Sequence, residues 1–203
     1  AELVEAETSF TAYQEFQSML TRDRIDIFMV GEFDDYQVLQ ALHRFPLEGR
    51  QVDLQFSYSQ PYVNVVKEKI EPRQSSQSIL QLGYQFSCQY GDKDYFALIV
   101  FNAMFGEFAH SALFTTLREK EGLAYSISSQ FDVFTGLLEV YAGIEKSNRN
   151  QAMRGISREL NYIKLGRFSS SLLNQTKKII RMNALLSEDH ALTLVEQRFN
   201  KVI

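Results

Sequence analysis

The sequence predicts an α+β fold, a mainly antiparallel sheet covered on one face by helices. Three observations predict it. Residues 125–133 and 138–144 both alternate apolar with polar residues across a short "FTG" turn, the pattern of a hairpin. The last third of the chain carries helical spacing in three segments. Finally, 203 residues with 45% hydrophobic and 23% charged side chains are enough for a core of ordinary globular type.

In chain order, residues 9–21 place Phe10, Tyr13, Phe16 and Leu20 at helical spacing. In "RIDIFMVGEF", Ile25, Ile27 and Met29 face one way and Phe28 and Val30 the other, which predicts an interior strand. Tyr36, Leu39 and Leu42 then repeat with helical period behind Asp34 or Asp35 as cap. Residues 46–61 are polar, hold two of the three prolines, and read as a connection. Residues 62–70 are strand-like, and "EPRQSSQ" is a loop.

Beyond it, Leu80, Leu82, Tyr84, Phe86 and Cys88 share one face of a strand, with Gln81, Gly83, Gln85 and Ser87 on the wetter side. The run 91–106 predicts a strongly apolar helix capped by Asp92, followed by a helix over 109–121. In the predicted hairpin, Tyr125, Ile127, Phe131 and Val133 share a face with Leu138, Val140, Ala142 and Ile144. Helices over 149–164, 169–186 and 189–201 close the chain, with Ser169 and Asp189 as caps and Gly166 as a separator. The 203 residues are expected to form one domain, cut from a longer protein.

Several function classes are excluded. A formal charge of −4 at pH 7 leaves no broad basic surface for nucleic acid, and "KKIIR" at 177–181 is a solvated helix face. The apolar runs are far too short for a membrane span. A single cysteine, Cys88, within an apolar strand pattern predicts a reducing, cytoplasmic compartment. The three histidines, His43, His110 and His190, are too scattered for a metal helix, and neither H-E-x-x-H nor H-x-x-E-H occurs. No nucleophile elbow or phosphate-cradling glycine loop is present, and Asp34–Asp35 suit a helix start better than a catalytic dyad.

What is left is "LFTTLREKEGLAYSISSQ", where Arg118 ends a helix, Gly122 breaks it and Tyr125 opens a strand. As structural residues, Arg118 would complement the helix dipole and pair with Glu121, while Tyr125 would bury its ring beside Ile127, Phe131 and Val133. As functional ones, the fork of guanidinium donors and a phenol could hold the carbonyls of an extended peptide. Such chemistry positions a substrate without transforming it.

This stretch resembles the L-F-x-x-L-R-E-K-x-G-L-A-Y motif of the pitrilysin and insulin-degrading-enzyme family, the inverzincin zinc peptidases. "IDIFMVGEFDD", "SQSILQLGYQF", "FALIVFNAMFG" and "LLNQTKKIIRMNALL" resemble further parts of its C-terminal, non-zinc-binding domain. The resemblance implies that Arg118 and Tyr125 contact peptide substrate while zinc is held by another domain or a paralogous subunit. It implies no catalytic residue, no metal and no cofactor in this chain, which alone is expected to be inactive. The alternative is a structural or assembly domain of the same family without peptidase function. A peptide, a zinc-bearing family partner and a homo-oligomer are the partners the resemblance admits.

Overall fold

Alternation in "LLEVYAGI" builds the centre of the sheet. The structure, a computed structural model, describes residues 4, 6–45, 63–187 and 190–199, which fall into two compact units, 1–57 with 185–203 and 58–184. In the larger unit three antiparallel strands run in the order β1–β3–β2: β1 is Ser78–Gln85, β2 Ala124–Asp132 and β3 Leu137–Ile144. Every second residue of β3 is buried (Leu138, Val140, Ala142 and Ile144), because successive side chains leave a strand on opposite faces. Leu80 sits opposite Ala142 and Leu82 opposite Val140, so β1 adds its apolar face to the same side. Asp132 caps the hairpin turn, accepting from the Phe134 N–H at 2.9 Å and the Thr135 hydroxyl at 2.8 Å.

Helices cover that apolar face. Helix α3, Tyr95–Asn102, runs on into a π-helical segment, Ala103–Glu107, whose Met104 and Phe105 are buried in the core. A second π-helical segment, Phe114–Lys120, and α4, Arg149–Lys164, supply Leu117, Ala152, Ile156 and Ile163. Helix α5, Ser170–Ser187, starts where Ser169 accepts from the Leu172 N–H at 3.1 Å, as its spacing predicts. Asp92 does not cap α3. The helix begins at Tyr95, and the Asp92 carboxylate instead accepts from the Gln89 N–H of the preceding turn at 2.7 Å.

The opposite face of the sheet is polar. Gln81 donates to Glu139 and to the Tyr141 hydroxyl, each at 3.0 Å, and Gln130 donates to Glu139 at 3.1 Å. These bonds cross all three strands and fix their register from the wet side.

In the smaller unit, α1 (Ser9–Arg22) is opened by a capping box between Thr8 and Thr11, and α2 (Asp35–Leu42) by Asp34 accepting from Tyr36 and Gln37. The predicted strand at 25–30 is not a strand. It is irregular, and its apolar residues line a cavity with Leu194, Val195 and Arg198 of α6 (Ala191–Phe199), Phe28 meeting Phe199 edge to face at 6.3 Å. Only Phe28 of this run is partly buried; Ile25, Ile27, Met29 and Val30 stay exposed, so it is not the interior strand that its two apolar faces predict.

The described part of the strand expected at 62–70 is likewise not a strand: Val66 is 96% exposed, Lys69 pairs with Glu71, and Glu68 pairs with Arg149. Residue 62, the connection at 46–61 and the cap at Asp189 lie outside the described residues. Among those described, no helix is long and apolar enough to cross a membrane.

Candidate functional site at a helix-to-strand corner

The corner is built from a wide helix end, a glycine and an irregular strand start. Within the second π-helical segment, Leu117 is fully buried and packs so closely on α4 that a methyl group on Gly155 would meet it at 3.2 Å. That contact fixes the helix while leaving Arg118 outside. The Glu121 N–H reaches back to the Thr116 carbonyl at 2.9 Å, five residues, and the Leu123 N–H to the Leu117 carbonyl at 2.8 Å. Gly122 has φ +62°, the left-handed conformation that ends helices and that side chains with a Cβ disfavour.

The Arg118 guanidinium carbon lies 4.5 Å from the centroid of the Phe114 ring, one turn back, held by the attraction of a cation for a π face. Among the described residues Arg118 has no carboxylate partner. The expected pair with Glu121 does not form, because Glu121 accepts from Arg158 of α4 at 2.6 Å, and Arg158 also donates to Glu159 at 3.0 Å. An acid three residues along the chain loses to a guanidinium presented by a neighbouring helix.

Tyr125 is displaced by a β-bulge. Ala124 pairs with Ile144 and Ser126 with Gly143, so Tyr125 is the extra residue of β2. Consequently Ala124 and Ile127 are both buried, and Tyr125 and Ser126 between them both face out. The expectation that Tyr125 lies buried with Ile127 is thus overturned: its ring is 50% exposed. Its hydroxyl donates to Glu145 Oε1 at 2.6 Å. That hydrogen bond, then desolvation and the Glu145 charge, push the phenol above its ordinary pKa.

The structure therefore places both predicted residues, exposed, on the two sides of Gly122, with no hydrogen bond between them. Their partners were missed. Phe114 was legible four residues before Arg118 on a helix; Glu145 was not, since it comes beside Tyr125 only through the hairpin register.

Among the described residues no three His, Cys, Asp or Glu side chains could hold a metal ion. His110 instead bonds Thr176 at 2.9 Å and stacks on Phe108, while His190 bonds Thr193 at 3.2 Å. Cys88 is buried, its thiol turned to the Gln89 carbonyl at 3.8 Å.

The family model described as "Peptidase M16 inactive domain" matches residues 12–180. The "Probable inactive metalloprotease YmfF" of Bacillus subtilis (strain 168) is 38% identical over 190 residues, 93% of this chain and 45% of that protein. The "Uncharacterized zinc protease YmxG" of the same organism is 26% identical over 172 residues, 82% of this chain and 41% of that protein. The chain thus spans less than half the length of these curated relatives. A crystal structure of a conserved protein from Enterococcus faecalis V583 superposes with a TM-score of 0.88 at 38% identity, covering 98% of this chain and 47% of that one. A protease from Helicobacter pylori shares the fold, with a TM-score of 0.60 at 19% identity over 82% of this chain and 42% of that one. On the family match over residues 12–180 the chain belongs to the peptidase M16 inactive-domain family.

Proposed function

We propose that this domain positions extended peptide for a pitrilysin-type zinc peptidase, through Arg118 and Tyr125, while zinc is held by another domain or a paralogous subunit. The observation that carries the reading is the corner itself. Two irregularities, a π-wound helix end and a β-bulge, leave a cation and a phenol exposed on either side of Gly122. Bulges recur beside active sites because they re-aim a side chain. The guanidinium offers a fixed fork of donors, which suits carbonyl oxygens of a chain running past it. On this reading the 203 residues act as one positioning domain in the cytoplasm, with the metal and its water supplied from outside them.

The test pairs the chain with a relative carrying H-x-x-E-H and follows cleavage of a labelled peptide. Arg118→Ala is expected to lower the rate by about a hundredfold, the scale of lost substrate alignment, with zinc content of the partner unchanged. An Arg118→Ala rate equal to that of the parent removes the positioning role.

A second reading has an observation of its own. Arg118 already rests on Phe114 and Tyr125 already donates to Glu145, the arrangement of a corner kept for folding in an assembly domain. On that reading Arg118→Ala lowers stability slightly and leaves peptide handling untouched.

A further inference from the structure

The hydrogen bond on Tyr125 bears on what the corner can recognise, resting on the peptide-positioning reading above. A phenol has one proton, and an ionised carboxylate has none to give, so in the Tyr125–Glu145 pair the phenol is the donor. At 2.6 Å the bond has the length of a charge-assisted O–H···O⁻ contact. Glu145 stands just past β3, whose last residue Ile144 pairs with Ala124, and its second oxygen faces the Ser147 hydroxyl at 3.5 Å. A neutral peptide carbonyl is a poorer acceptor than this carboxylate. The direction in which the Tyr125 pKa moves, upward, agrees with a proton held by Glu145.

We propose that Glu145 is a positioning residue that binds the Tyr125 proton and leaves the phenolic oxygen as an acceptor. The corner then offers an incoming chain donors at Arg118 and an acceptor at Tyr125. One edge of an extended peptide presents C=O and N–H groups in alternation, and this pair is complementary to that edge. The substrate class is therefore an extended peptide with a free backbone N–H at the position facing Tyr125. Proline or an N-methylated residue there is rejected.

The experiment uses the full 203-residue chain and a fluorescein-labelled, β-prone peptide of alternating lysine and valine. Its affinity is compared with that of the same peptide N-methylated on alternate residues. The parent protein is expected to bind the methylated peptide about three- to tenfold more weakly, the worth of one ordinary hydrogen bond. Tyr125→Phe should bind both peptides alike. Glu145→Ala should release the proton, lower the Tyr125 pKa in a phenol titration and shrink the discrimination, while Glu145→Gln, which still accepts, should retain it. If Tyr125→Phe weakens binding but the parent protein does not distinguish the two peptides, Tyr125 acts as a donor, and the inference falls while the positioning reading stands. If neither Arg118→Ala nor Tyr125→Phe changes binding of either peptide, both fall.

Discussion

Gly106→Ala tests the packing that holds β2, and with it Tyr125, against the first π-helical segment. A Cβ on Gly106 would stand 2.5 Å from Ser129 Oγ, 2.8 Å from Ser129 Cβ and 2.8 Å from the Ser129 backbone nitrogen. Rotating the serine removes only the first of these contacts, so strand and helix must separate. Overpacking of this kind costs about 1–3 kcal/mol. The shift also stretches the buried bond from Ser129 Oγ to Asn102 Oδ1, 2.7 Å long, and an orphaned buried acceptor costs about 1–3 kcal/mol more. Alanine returns about 1 kcal/mol of helix propensity. The net expectation is a loss of about 1–5 kcal/mol, a large share of the roughly 5–15 kcal/mol that holds a domain folded. Because the chain has no tryptophan and 10 tyrosines, urea unfolding is followed by tyrosine fluorescence and circular dichroism. With a slope of about 2 kcal/mol per molar urea, the midpoint should fall by about 0.5–2.5 M. Ser129→Gly added to Gly106→Ala should recover part of the loss, since the backbone contact persists. A Gly106→Ala midpoint within about 0.3 M of the parent would refute the argument, that being less than the smallest expected shift.

Gly122→Ala should cost about 1 kcal/mol from conformation alone, because φ is +62° and no atom lies within 4 Å of the added Cβ; Gly122→Asn should cost less, and thermal denaturation ranks the two. Glu139 supplies a pH prediction: the Gln130 hydrogen bond, the largest cause, with those from Tyr141 and Gln81, holds its carboxyl below the ordinary value against burial and Asp132. Since the folded form gives up this proton more readily than the unfolded chain, the stability it contributes is present above the unfolded pKa and is lost as pH falls through the folded one. Glu139→Gln should therefore flatten the acid-side decline in that window, and Gln130→Ala should raise the Glu139 pKa measured by NMR.

The legible parts of the fold are those in which a residue's role depends on its near neighbours. Leu138, Val140, Ala142 and Ile144 alternate because pleating forces it, and Asp34, Ser169 and Gly122 act on their own helix ends. The predicted strand at 25–30 failed since hydrophobicity on both faces carries no period that is specific to a strand. The Glu121 partner was misread for a related reason. Arg158 lies 37 residues away, and no spacing rule along one helix reaches it. At the corner, the helix end, the glycine and the strand start were legible, but the exposure and hydrogen-bond direction of Tyr125 were not.

That last gap has a specific physical origin. In the strand as spelled, Tyr125 shares parity with Ile127, so strict alternation buries it and exposes Ala124. The core asks for the reverse. Ala124 is 6% exposed opposite Ile144 and Ile127 is 7% exposed opposite Ala142, and two residues must then span the one place left on β3. Gly143 occupies that place, and a Cβ there would meet Ser126 Oγ at 2.8 Å, so the partner strand is kept bare where the bulge crosses it. The bulge is thus a joint property of both strands. It satisfies two apolar residues at once, and as a consequence delivers a phenol to the open side, within reach of Glu145. Core packing and the proposed peptide contact therefore share one irregularity.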